Sequence, residues 1–140
     1  ISGYDVSSAT TIGRMFYSNQ QFNQDISSWS VQNVTNMSSV FFGASSFDQN
    51  LGNWEIASLT SALQMFYNSG MSTANYTDTI VGWANYVFTN GAPLNVNMGG
   101  QNGRTFDTSR SGGANFADAG AARTYLTTTA GWTISGDTVI

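Results

Sequence analysis

The sequence predicts an α/β fold: a solenoid of short parallel strands and short helices, stacked coil on coil and covered by a C-terminal α/β cap. Three observations predict it. Phe22, Ile26, Trp29, Val31, Val34 and Val40 recur 25 positions later as Phe47, Leu51, Trp54, Ile56, Leu59 and Met65. The register also runs backwards, since Tyr4, Val6, Met15 and Phe16 precede Trp29, Val31, Val40 and Phe41 by the same interval. After Gly70 the period stops and longer helical and strand patterns replace it. A fixed repeat of this size marks a stacked architecture in which one unit cannot bury its apolar face alone and its neighbours complete it.

Within each repeat two periodicities separate. From Thr35 to Phe42 the apolar residues Met37, Val40 and Phe41 fall at i, i+3, i+4, the stripe of a helix of about two turns. Thr10–Tyr17 and Thr60–Tyr67 repeat that pattern. Thr10, Thr35 and Thr60 are placed to cap these helices, and Gly43 and Asn68 tolerate the left-handed conformation that stops them. The other half, Phe22–Trp29 and Phe47–Trp54, alternates large and polar residues and reads as a short strand. Parallel stacking at about 4.8 Å would set Phe22 over Phe47 and Trp29 over Trp54. Each buried ring then contributes roughly 2–3 kcal/mol.

These patterns divide the chain into residues 1–71, about three repeats continuing from a missing upstream part, and residues 72–140, a capping region. The cap is expected to hold a helix over 73–89, with Ser72 or Thr73 as N-cap and Asn90-Gly91 as stop. A strand over 94–98 follows, with Leu94, Val96 and Met98 on one side. Next come a Gly-rich loop over 99–113, the least compact part, a helix over 115–129 stopped by Gly131, and a strand over 132–135.

The pieces FNQDISSW, NVTNMSSVFFGASSF and LGNW resemble the tandem repeat of the BspA-like bacterial surface proteins, a branch of the leucine-rich-repeat class. NYTDTIVGWA and AARTYLTTTAGWTISGD look like the C-terminal cap that follows such repeats. The likeness covers most of the chain, although Asp48-Gln49-Asn50 reorders the FNQD letters and Ser58 and Ala62 loosen the second NVTNM copy. It implies a leucine-rich-repeat-like fold, a secreted or cell-surface location and an adhesin or surface-antigen role, without a shared active site.

Composition narrows the chemistry. Hydrophobic residues make up 41% of the 140, enough for a real core, whereas charged residues make up 9%, with four Arg, no Lys and a net charge of −4. Nothing provides the basic footprint that phosphate neutralisation demands, so nucleic acid is not an expected partner. Cysteine and histidine are both absent. That removes disulfides, thiolate nucleophiles, imidazole bases and the usual zinc ligand sets. No apolar run reaches membrane-spanning length, so membrane insertion is not expected.

The candidate sites are weighed against plainer readings. Asn23, Asp25, Ser27, Asp48 and Asn50, with Gly52, alternate with the apolar positions and would form a strand-face recognition surface, or else a hydrogen-bonded polar ladder. Asp25 stacks in register over Asn50, an acid beside an amide, which is not the facing carboxylate pair of a glycosidase. Gly99-x-x-x-Gly103-Arg104 lacks the Lys of a phosphate loop. Arg104, Asp107 and Arg110 in that stretch read as contact-forming. Asp107 or Asp118 could supply oxygen to calcium, but no spacing supports a site. Asn33, Asn36 and Asn75 match glycosylation acceptors, as chance allows in so Ser/Thr/Asn-rich a chain. No catalytic residue, metal or cofactor is expected. The sequence therefore suggests a non-enzymatic extracellular binding module, at the C-terminal end of a larger bacterial surface protein, for a protein or glycan ligand on another cell or matrix. The alternative is a structural module whose neighbouring copies pack in a filament, virion or surface layer.

Overall fold

The computed structural model describes residues 3–140. Its organising feature is a relay of backbone hydrogen bonds from each repeat to the next. The amides of Ile12, Arg14, Phe16 and Ser18 donate to the carbonyls of Asn36, Ser38, Val40 and Phe42 at 2.6–3.1 Å. One repeat on, Met37, Ser39, Phe41 and Gly43 donate in the same way to Ser61, Leu63, Met65 and Tyr67 at 2.8–2.9 Å. Parallel bridges join Thr11 to Asn36, Asn36 to Ser61, and Ser61 to Asn97.

This relay corrects the reading of each half-repeat. Thr35–Phe42 is not a helix, and neither are its copies; the parallel ladder lies in this half. Every second amide leaves the segment to bond the next coil, so no i→i−4 ladder can form. Arg14, Ser39 and Gln64 sit at φ 61, 57 and 53, and Ser18, Gly43 and Asn68 at 55, 66 and 49. Left-handed residues at these intervals interrupt any helix and cost about 1–2 kcal/mol each for a residue with a Cβ, which the bonds between coils offset. Thr35 and Thr60 do not cap helices either; their hydroxyls donate to the carbonyls of Thr10 and Thr35 in the preceding coil, at 3.1 and 2.9 Å. Phe22–Trp29 and Phe47–Trp54 contain no strand: they are turns in which Ile26 and Leu51 accept from the amides of Trp29 and Trp54, both at 3.0 Å.

Side chains repeat with the backbone. Phe16 and Phe22 stack within one coil at 3.7 Å, as do Phe41 and Phe47 in the next. Between coils Phe16–Phe41, Phe41–Phe66 and Phe22–Phe47 lie nearly parallel at 5.7–5.9 Å. The tryptophans differ from the expected column, because among the described residues no ring contact joins Trp29 to Trp54; half-buried Trp29 meets Phe16 at 6.1 Å. Trp54 is buried and donates Nε1–H to the Ile26 carbonyl at 3.0 Å, and Trp83 does the same to Leu51 at 3.0 Å.

Beyond Gly70 the ladder continues at a wider spacing. The helix α1, Thr73–Asn90, starts at Ser72, whose hydroxyl accepts from the Asn75 amide, and stops at Gly91 in the left-handed conformation. Its Tyr76 ring lies edge-on to Phe66 at 6.0 Å, and Trp83 covers Phe66 from 6.4 Å. The chain then returns to the ladder. Ala62 and Gln64 donate to Asn97 and Gly99, and Asn68 donates to Asn102, at 2.8–2.9 Å. β1, Asn97–Met98, thus lies 36 residues after Ser61, and β3, Thr133–Ile134, lies 36 after β1 and pairs with it in parallel. A second parallel pair joins β2, Thr105–Phe106, to β4, Thr138–Val139.

Several cap elements depart from the sequence expectation. The stretch over 99–113 is not loose: Gln101 and Phe106 are fully buried, and β2 lies within it. The strand expected over 94–98 shortens to β1 because Asn95 takes φ 57, which turns Leu94 out to 53% exposure. The second helix, α2, begins at Ala119 and not at 115, since the Asp118 carboxylate accepts the Ala121 amide and fixes the start. It runs through Thr124 and widens into a π-helical turn at Tyr125–Thr129.

Gln101 takes the place of a missing backbone acceptor. Phe16 and Phe41 donate to a carbonyl of the next coil, whereas Phe66 donates to Gln101 Oε1 at 2.9 Å, and Gln101 Nε2 reaches the carbonyls of Ala62, Met98 and Gly99. Gln101→Leu keeps the volume but leaves the Phe66 amide buried without a partner, and should cost about 3 kcal/mol in urea-unfolding free energy. Gly82 crosses Gly52 so closely that an added Cβ would lie 2.3 Å from the Gly52 oxygen. Gly82→Ala should therefore lower the thermal midpoint sharply, while Gly3→Ala, with nothing within 4 Å, should leave it unchanged.

Candidate functional site

Short polar side chains in turns accept backbone amides two residues on. Asp25 accepts the Ser27 amide at 2.9 Å and Asn50 accepts the Gly52 amide at 2.8 Å, so one turn recurs with acid in one coil and amide in the next. The Ser27 hydroxyl first, and then its amide, hold the Asp25 carboxyl below the usual carboxylate range. A second polar column runs beside this one. Asn23 Oδ1 accepts the Asp48 amide at 2.8 Å and Gln49 Nε2 at 2.9 Å. Asp48 Oδ1 in turn accepts the Ser72 amide and hydroxyl at 2.8 and 2.9 Å, and Asn75 Nδ2 at 2.8 Å. Burial works against the Asp48 charge, but the bonds from Ser72 and Asn75 and the positive charge of Arg104 outweigh it and lower the pKa.

Asn23, Asp25, Ser27, Asp48 and Asn50 therefore lie on turns and not on a strand face, and they do not converge on one cavity. Asn23 and Asp48 form a column that leads to the start of α1. Asp25 borders an open cleft of about 680 Å³ beside Tyr4 and Trp29. Asn50 borders a different groove, about 450 Å³, between its own turn, α1 and the 110–114 segment. The residues that complete that groove were not visible as a site in the sequence. Asp78 and Arg110 stand 32 positions apart and form a two-pronged ion pair, Nε to Oδ1 at 2.9 Å and Nη2 to Oδ2 at 2.8 Å. That bond raises the Arg110 pKa further. Asn85 Nδ2 donates to the Gly112 carbonyl at 2.9 Å, and its Oδ1 accepts from Asn115. Opposite charges at Asp78 and Arg110 are the only sequence signal, and a pair so far apart cannot be told from chance.

The remaining acids are also engaged. Asp5 and Asp107 accept the amides of Ser7 and Ser109 at 2.9 Å, Asp118 caps α2, and Glu55 accepts from Gln32. Asp137, its side chain 1% exposed, accepts from Arg123 at 2.8 Å and from the Tyr76 hydroxyl at 3.0 Å. Burial, together with the Asp137 charge, pushes the Tyr76 hydroxyl well above its ordinary pKa. Arg104 reaches the Met71 carbonyl. Among the described residues no three acids cluster as a metal site; Asp107 accepts the Ser109 hydroxyl and Asp118 the Ala121 amide.

The sequence profile described as Mycoplasma protein of unknown function, DUF285, matches residues 1–100. The chain belongs to this family. The match spans the three repeats, α1 and β1, so the DUF285 portion includes both polar columns and the Asn50–Asp78 side of the groove, while Arg110 lies beyond it. No curated protein and no solved structure matches the sequence.

A lowered pKa makes the Asp48 charge a pH-dependent source of stability. The contribution is present above the unfolded value, 3.8, and is lost as pH falls through the lower folded value. The parent should therefore lose stability on acidification below about pH 4 more steeply than Asp48→Asn does. Thermal midpoints measured from pH 7 to pH 2 check this, and parallel curves would refute it.

Proposed function

We propose that this DUF285 chain is a non-enzymatic, extracellular binding module. In this reading it is a leucine-rich-repeat-like solenoid with its cap, of the BspA-like bacterial surface-protein kind. The observation that carries the reading is the engagement of the eight carboxylates. Each of Asp5, Asp25, Asp48, Asp78, Asp107, Asp118, Asp137 and Glu55 is bonded to an amide, hydroxyl, carboxamide or guanidinium of the same chain, and none is paired with another acid. These serve as caps, turn acceptors and ion-pair partners.

The outer surface supports the same reading. Ladders of Thr, Ser and Asn recur from coil to coil, as in the hydroxyl contact of Ser38 with Ser61 at 2.8 Å. Such a surface is hydrated without depending on salt or pH, which suits recognition outside a cell. No helix among the described residues is long and apolar enough to cross a membrane. The ligand class in this reading is a protein or a glycan on another cell or matrix.

Binding of the purified chain to arrays of glycans and host extracellular proteins tests the proposal, with saturable capture of at least one class expected. Hydrolysis of a polysaccharide by a chain that captures nothing stably would overturn it.

A further inference from the structure

We infer that the groove between the Asn50–Asn53 turn, α1 and the 110–114 segment is a binding site for a neutral saccharide. The inference rests on the binding-module reading and assigns its ligand class.

The groove exists because two backbones meet where no side chains intervene. Gly52 and Gly82 touch directly, which brings α1 down onto the turn of the third repeat and leaves a floor without side chains beside buried Val81. Asn50, Asn53, Asp78, Arg110 and Asn85 are the polar groups of its wall. The ion pair cancels its own charge, so the wall offers donors and acceptors together without attracting an ion. Asp78 and Arg110 are each about a third exposed, at 34% and 36% of their side chains. The side chain of exposed Asn53 makes no bond to the rest of the chain.

An aromatic cluster adjoins the Asn85 end. Phe88 follows Asn85 by three residues and is its neighbour on the surface of α1. Phe116 follows Asn115, whose amide and side chain both bond to Asn85. Phe88, Phe116 and Tyr125 meet one another at 5.3–5.6 Å, with Phe88 left 52% exposed. Fixed by its neighbours, that ring presents apolar surface beyond Asn85, which is itself saturated: its Nδ2 donates to the carbonyls of Val81 and Gly112 and its Oδ1 accepts twice from Asn115.

Each candidate ligand meets these groups differently. An anion would face Asp78 with no unpaired cation to offset it, and an apolar helix would have to desolvate Asn50, Asn53 and the ion pair. A sugar ring has hydroxyls that both donate and accept, and an apolar C–H face that lies against an aromatic ring. The groove, about 450 Å³ and within the usual range of small-ligand sites, meets the hydroxyls, and the Phe88 ring, outside its lining and three residues along α1 from Asn85, meets the C–H face of a ligand long enough to reach it.

The test titrates the full chain, labelled with ¹⁵N, with cellotetraose, maltotetraose, chitotetraose and N-acetyllactosamine at millimolar concentration. Saturable shifts should appear for at least one of them at the side-chain amides of Asn50, Asn53 and Asn85. Affinity should fall about tenfold in Phe88→Ala and in Asn53→Ala, the loss of roughly one good contact. Asn53→Ala removes no bond within the protein, so its loss of affinity cannot be blamed on unfolding. Tyr17→Ser, on the ladder face, should leave affinity unchanged. Saccharide binding that survives both groove variants would overturn the site while leaving the binding-module reading intact, as would capture of a host protein by a chain that binds no saccharide. Failure to bind any saccharide or any arrayed protein would overturn both.

Discussion

The constraint on which the structure depends is that each coil must hand its amides to the next. In each of the first two repeats four N–H groups leave the segment that bears them, and they find carbonyls only if the following coil lies parallel and in register. Register is therefore set by backbone pairing and by side chains together. A slip of one residue would take Phe41 off Phe66 and Phe47 off Phe22, losing the offset stacks as well as the bonds. Because both sets of contacts ask for the same alignment, segments with no regular secondary structure of their own still hold one conformation.

Where the spacing between rungs widens from 25 to 36 residues, side chains take over from backbone groups. Gln101 supplies the acceptor for Phe66, and Thr79 Oγ1, fully buried, accepts the Leu51 amide at 3.0 Å. Thr77 Oγ1 does likewise for Asp107 at 3.0 Å. Trp83 reproduces the bond that Trp54 makes one coil earlier. α1 thus satisfies the polar demand of the third repeat while covering its rings, which is why it carries buried threonines on a helix whose other buried residues are mostly apolar. The Tyr76–Asp137–Arg123 network then ties the last strands to that helix, with Arg123 also over the Phe106 ring at 5.6 Å.

The repeat period, the Phe columns, the limits of α1 and the Gly131 stop were legible in the sequence, because each is written in residue type and spacing. What was not legible was the hydrogen-bond direction. Met37, Val40 and Phe41 carry helical spacing, yet Ser39 between them is left-handed, and nothing about a serine announces a positive φ. The fourth and fifth rungs do signal theirs, since Gly100 and Gly136 occupy the equivalent positions at φ 72 and 87, and a Cβ on Gly100 would lie 2.8 Å from Gln64 Cγ. The wider spacing conceals that equivalence, and a rung of the ladder reads in the sequence as a loose Gly-rich excursion. The strand-face reading rests on alternation, but alternation here belongs to turns, and Asn23, Asp25, Asp48 and Asn50 direct their acceptors at neighbouring amides.

That self-saturation bears on where recognition can occur. A repeating coil uses many of its polar side chains to hold the next coil. Concavity occurs between the first two repeats, at the cleft beside Asp25, and again where regularity is broken. Here the break is the insertion of α1, which crosses the third repeat at Gly52 instead of laying down another identical turn and thereby opens a groove between elements that no repeat contains. The glycine crossing sets the floor, the Asp78–Arg110 pair fixes the 110–114 segment against the helix, and Asn85 pins the chain that carries Phe116. The same substitution of helix for coil that completes the core thus also opens this groove.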